Sequence, residues 1–69
     1  MFNNCKNIKT LAKKYLTIKL EIFEFDTYIS IHGVFFELQN LLKRLKELNY
    51  KCVFTYNSRH LPTIQIDKG

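Results

Sequence analysis

The chain has 69 residues, 11 Lys plus Arg against 6 Asp plus Glu, and a formal charge of +5. That length holds one domain and leaves no room for a second. With 46% apolar and 25% charged residues, the composition also excludes disordered, collagen-like and low-complexity chains.

The first segment places Cys5, Ile8, Leu11, Ala12, Tyr15 and Leu16 at spacings of three and four, which predicts a helix capped by Asn3 or Asn4. Its other side is basic: Lys6, Lys9 and Lys13 fall within about 60° of one another at 100° per residue, with Lys14 one step round. From Leu16 the period changes to two, predicting a strand from Leu16 to Phe25. The apolar phase slips at Phe23 and Phe25, and a β-bulge near Ile22 would return both rings to the buried face. A three-residue turn at Asp26, Thr27 and Tyr28 then sets Phe25 opposite Ile29 and Phe23 opposite Ile31, giving a second strand Ile29 to His32.

Gly33 ends that strand and opens a helix from Val34 to Leu48, with Val34, Phe35, Leu38, Leu41, Leu42, Leu45 and Leu48 as its apolar stripe. Asn49 suits its end, and Lys43, Arg44 and Lys46 suit the negative end of the helix dipole. Tyr50 to Tyr56 alternates as a third strand with Tyr50, Cys52, Phe54 and Tyr56 on one face, the aromatics Tyr50, Phe54 and Tyr56 being read as core rather than as a stacking platform for single strands. Asn57 to Pro62 is a loop, and Thr63 to Asp67 is a short last strand. The expectation is a single α+β domain over residues 1–69. Its order is α-β-β-α-β-β, with a four-stranded, mainly antiparallel sheet and the helices packed on one face.

Cys5 and Cys52 form no C-x-x-C pair, and the chain does not look like a disulfide-stapled secreted domain. The longest charge-free stretch, Thr27 to Phe36, is about half of what a bilayer requires, and no charged-then-apolar leader opens the sequence. These features point to the cytoplasm, or to the nucleus in a host that has one, with no membrane partner. Lys outnumbers Arg nine to two, and residues with AT-rich codons (Asn, Ile, Phe, Tyr) are favoured, a composition common in bacteriophages, mobile elements and low-GC bacteria.

Charge is blocked along the chain. Residues 1–20 hold five lysines and no acid; residues 21–40 hold Glu21, Glu24, Asp26 and Glu37 with no base; residues 41–69 hold six bases against Glu47 and Asp67. Lys6, Lys9, Lys13 and Lys14, joined by Lys43, Arg44 and Lys46 where the helices lie side by side, form a candidate face for phosphate backbones of DNA or RNA. The alternative is an ordinary solvated lysine surface. Two arginines, no helix-turn-helix and no zinc-finger spacing argue against sequence-specific readout. Phe36 lies about 160° from Leu38 around a straight helix, either as an apolar anchor for a partner or tucked in by a later helix start.

Zinc would have to recruit Cys5, His32, Cys52 and His60 from four separate elements, and no glycine-rich phosphate loop exists, so no metal or cofactor is expected. Leu41 to His60, a helix followed by Asn-Tyr, a strand and a Ser-Arg-His turn, resembles part of the HicA-type toxin pattern, which would imply metal-free RNA cleavage at His60. It covers under a third of the chain, without that family's turn glycine or final helix, and does not assign the chain to the family. The leading expectation is therefore a non-catalytic interaction protein, of phage or mobile-element character. It binds a host protein or nucleoprotein machine stoichiometrically, as anti-defence inhibitors do. A weakly specific nucleic-acid-binding accessory protein is the second reading, and a ribonuclease toxin the third. A small core leaves self-association into a homodimer as one route to extra burial.

Overall fold

In the computed structural model, which describes residues 5–68, the elements follow the expected order: α1 (Cys5–Tyr15), β1 (Leu20–Glu24), β2 (Tyr28–Gly33), α2 (Phe35–Glu47), β3 (Cys52–Tyr56) and β4 (Pro62–Asp67). The strands form one antiparallel sheet in the order β1-β2-β4-β3, so α2 carries the chain from β2 across β4 to the far edge. Both helices pack on the same face. The core gathers Ile8, Ala12 and Leu16 from α1 and its exit, Leu38, Leu41 and Leu45 from α2, and Ile29, Ile31, Ile64 and Ile66 from the two central strands. The cap expected at Asn3 or Asn4 lies outside the described residues.

The first hairpin departs from the expectation in length and register. Leu16 still donates its N–H to the Ala12 carbonyl (2.8 Å), so β1 starts only at Leu20, after the turn at residues 17–19. No bulge interrupts it: Leu20 to Glu24 pair one for one with Gly33 to Ile29. The loop is two residues, Asp26 and Thr27, closed by Phe25 N–H to the Tyr28 carbonyl at 2.8 Å. Glu24 therefore faces Ile29 and Phe23 faces Ser30, one residue away from the expected pairing. A one-residue shift exchanges the faces of a strand, so Phe23 and Phe25 stay with Glu21 on the side opposite the helices. β4 starts one residue early, at Pro62, whose missing N–H costs nothing at a strand's first position.

Local chemistry explains the boundaries. Val34 is the N-cap of α2 with extended backbone, which leaves Phe35 and Phe36 inside the first turn. At the other end Asn49 adopts φ 68°, and a Schellman motif closes the helix: Tyr50 N–H donates to Leu45 O (3.0 Å) and Asn49 N–H to Lys46 O (3.0 Å). Gly33 is required by close approach, because a Cβ there would sit 3.0 Å from the Lys19 carbonyl and 3.2 Å from Leu16 Cδ1. The exit from α1 thus crosses directly over the end of β2.

Glu37 anchors that crossing. It is buried in the first turn of α2, where its Oε2 accepts from the Thr17 N–H (3.1 Å) and hydroxyl (2.7 Å) and its Oε1 from the Ile18 N–H (3.2 Å). The Thr17 hydroxyl, ahead of the backbone donors, holds this carboxyl below its ordinary pKa.

Candidate functional site

The helices leave one face of the sheet uncovered. Strand alternation places Glu21 and Phe23 of β1, Tyr28, Ser30 and His32 of β2, Thr63, Gln65 and Asp67 of β4, and Val53 and Thr55 of β3 on it. At its centre is a buried polar layer. The Thr63 hydroxyl bridges the Leu61 carbonyl (3.0 Å) and His32 Nδ1 (2.7 Å). His32 Nε2 faces the Ser30 hydroxyl at 3.4 Å. Among the described residues no buried side-chain nitrogen or oxygen lacks a partner.

Around this layer runs an aromatic strip along the first hairpin. The Phe23 ring meets His32 edge-on with centroids 5.3 Å apart, and Phe25 stacks on Tyr28 at 4.7 Å. Phe23 remains 47% exposed and Phe25 46%, side by side on this face. The strip shares its face with Glu21 and Asp67, while Lys51 and Arg59 lie toward β3 and its turn.

Two shallow depressions flank the strip. One, of about 250 Å³, lies between β1 and the β3–β4 turn and is lined by Glu21, Phe23, His32, Asn57, Ser58, Arg59 and Leu61. The turn is rigidly built: Asn57 Oδ1 accepts from Arg59 N–H (2.8 Å) and Leu61 N–H (3.0 Å), and His60 N–H donates to Asn57 O (2.9 Å). His60 takes φ 60°, the left-handed position that closes such a hairpin and where glycine is usual. His60 does not line this depression, and the histidine that does, His32, has both ring nitrogens engaged. The second depression, of about 510 Å³, lies at the other end of the sheet among Thr27, Tyr28, Lys51, Val53 and Asp67.

Part of the basic set stands on the helices, while Lys51 and Arg59 line the sheet-side depressions. Lys6, Lys13 and Lys14 are exposed on α1 and Lys43 on α2, and among the described residues no carboxylate lies within ion-pair distance of their amines. Lys9 differs: its Nζ sits 3.2 Å from Glu24 Oε1, while Lys68 Nζ holds Oε2 at 3.2 Å and the Cys5 thiol reaches the same oxygen at 3.4 Å. Lys68, Lys9 and Cys5, in that order, pull the Glu24 carboxyl down to about 2. Arg44 pairs with Glu47 at 3.7 Å, and it stands about 200° around α2 from Lys46, so those two cannot serve one flat surface. Lys6, Lys13 and Lys14 on α1 and Lys43 and Lys46 on α2 are thus exposed on helices that share one side of the sheet, with no carboxylate of the described residues within ion-pair distance. Phe36 is 57% exposed on the outer side of α2.

The cysteines stand at opposite sheet edges. Cys5 touches Glu24, and Glu24 lies in one lateral row with Ile29, Ile66 and Cys52, about 14 Å across three strand spacings. Both are free thiols, too far apart to bridge. Burial, ahead of its neighbours, raises the pKa of each. Among the described residues no three of His, Cys, Asp and Glu gather as a metal set, and no helix is long and apolar enough to cross a membrane. No protein-family model, curated protein or solved structure matches the chain. What the fold defines is a small α+β domain with both helices on one face of a four-stranded antiparallel sheet.

Sequence reasoning missed the aromatic strip and Glu37. The phase slip at Phe23 was the signal for the strip, since two adjacent parities cannot both be buried without a bulge. For Glu37, the signal was an acid in the first turn of a helix, which pointed only to the dipole.

Proposed function

We propose that this chain is a non-catalytic interaction protein that docks a protein partner on the uncovered face of its sheet. The observation that carries the reading is the aromatic strip: Phe23 and Phe25 stand about half exposed on the face opposite both helices. Exposed apolar patches rimmed by polar groups mark interaction surfaces, and aromatic side chains supply much of an interface's energy. Glu21 and Asp67 beside the strip, with Lys51 and Arg59 on the same face, make a surface of mixed charge and no basic row, which favours a protein over a nucleic acid as its occupant. The partner is a host protein or nucleoprotein machine bound stoichiometrically, and the AT-rich composition fits a phage or mobile-element origin, with anti-defence inhibition as one such role. The test is capture from host lysate by immobilised protein. Loss of the captured species in a Phe23→Ser/Phe25→Ser variant that still folds supports the reading, and undiminished capture refutes it.

A second reading, backbone binding of nucleic acid, is favoured by Lys6, Lys13, Lys14 and Lys43 carrying unpaired charge on the helical side. The two readings are compatible in one molecule, because the surfaces lie on opposite sides of the sheet. A nucleoprotein target would engage both.

A further inference from the structure

The two edges of the sheet are built differently. Along β1 the chain carries Glu21 and Glu24, with Lys19 paired to Glu21 at 3.8 Å and Lys9 and Lys68 gathered on Glu24, so charge guards that edge against pairing. Along β3 the run Cys52–Tyr56 contains no charge, no proline and no glycine, and it pairs with β4 one for one without a bulge. An edge rich in β-branched and aromatic residues and lacking every usual guard is a template for another strand.

The hydrogen-bond phase shows what the template offers. Lys51 O accepts from Asp67 N–H (2.8 Å) and Asn57 N–H donates to Leu61 O (3.1 Å), so the odd-numbered residues face β4. In an antiparallel ladder the alternate residues face the other way, which turns the N–H and C=O groups of Cys52, Phe54 and Tyr56 outward. Among the described residues, the contact made to these groups is a 3.5 Å approach of the Thr55 hydroxyl to the Tyr56 carbonyl. Beside them, on the helical side, Phe54 meets Phe35 at 5.4 Å and Tyr56 at 5.4 Å, both edge-on, and Phe35 and Tyr56 remain 50% and 54% exposed.

We propose that β3 pairs antiparallel with β3 of a second copy about a two-fold axis at Phe54, joining two four-stranded sheets into one of eight strands. The occupant is a second copy because the strand is complementary to itself. With Phe54 opposite Phe54 of the copy, Cys52 falls opposite Tyr56 and Val53 opposite Thr55. All three outward residues then exchange N–H and C=O bonds, and no charge within the strand meets a like charge. The aromatic group of Phe35, Phe54 and Tyr56 meets its copy over the junction, supplying the apolar centre an isologous interface needs. The β1 edge, with Glu24 held by two lysines, offers no such pairing. This dimer uses a strand edge and stands apart from the docking face.

The test is sedimentation of the purified protein from about 1 to about 200 µM, with amide hydrogen exchange followed at both ends of the range. The expected result is a mass rising from 8.3 kDa to twice that value. The amides of Cys52, Phe54 and Tyr56 exchange at least about tenfold more slowly in the concentrated sample, while those of Leu20, Ile22 and Glu24 stay unchanged. A Val53→Lys/Thr55→Lys variant sets lysines opposite one another and should remain monomeric with an unaltered circular dichroism spectrum. A monomer at the highest concentration overturns the proposal. So does a dimer with unprotected β3 amides, or one abolished by Phe23→Ser and kept by the double lysine variant.

Discussion

Glu24 and Glu37 are the two carboxylates that tie distant parts of the chain together, and both are worth more ionised than protonated. Glu24 has a folded-state pKa of about 2 against an ordinary 4.5, with its ion pairs to Lys68 and Lys9 as the cause. A depressed folded value means that this stabilisation is fully present above pH 4.5 and is lost as the pH falls toward 2. Melting temperature measured across that window should fall, and the Glu24→Gln variant should show a shallower decline. Glu37, also lowered, adds to the same acid loss. Removing its side chain in Glu37→Ala takes the acceptor from three donors of Thr17 and Ile18 and unties the exit from α1 where it crosses Gly33. That variant should lower the thermal midpoint more than any substitution in the lysine row, read by calorimetry. Neither role was legible beforehand, because each depends on a contact across 15 residues or more that no local spacing encodes.

At the scale of elements, the helices and strands were largely legible and their faces were not. The spacing of Leu38, Leu41 and Leu45 put α2 in the core, and all three are fully buried; Leu41→Ala should cost about 2–5 kcal/mol in chemical denaturation. Asn49 stands where a left-handed residue closes the helix, so Asn49→Val should lose about 1–2 kcal/mol while Asn49→Gly is tolerated, again read by denaturation. The first hairpin shows the limit of periodicity. Alternation assumes that apolar residues seek one buried face, and at Phe23 and Phe25 that assumption invents a bulge to hide rings that the fold leaves outside. The lysine row was partly legible for a similar reason: helical angle gathered Lys6, Lys9 and Lys13, but tertiary pairing commits Lys9 to Glu24.

At the scale of the molecule, two helices on one face of four strands leave an asymmetric object: Lys6, Lys13, Lys14 and Lys43 stand on the helices, while the bare sheet carries Phe23 and Phe25 beside both acids and bases, Glu21 and Asp67 with Lys51 and Arg59. This asymmetry makes the two binding readings separable by salt. Four unpaired lysines engaging duplex phosphates would give a log-log salt slope of about −4, which charge reversal at Lys13 and Lys14 should flatten; a partner on the aromatic face should show weak salt dependence. Phe36, exposed on the helical side, gives an internal comparison, since Phe36→Ala should leave binding at the sheet face unchanged. The measurement that bears most directly on the docking face is quantitative capture from host lysate by wild-type protein and by the folded Phe23→Ser/Phe25→Ser variant, side by side at physiological salt. The account predicts a stoichiometric partner retained by the first and lost from the second. Equal capture by both, or retention that disappears only when Lys13 and Lys14 are reversed, would contradict it and move the function to the helical face.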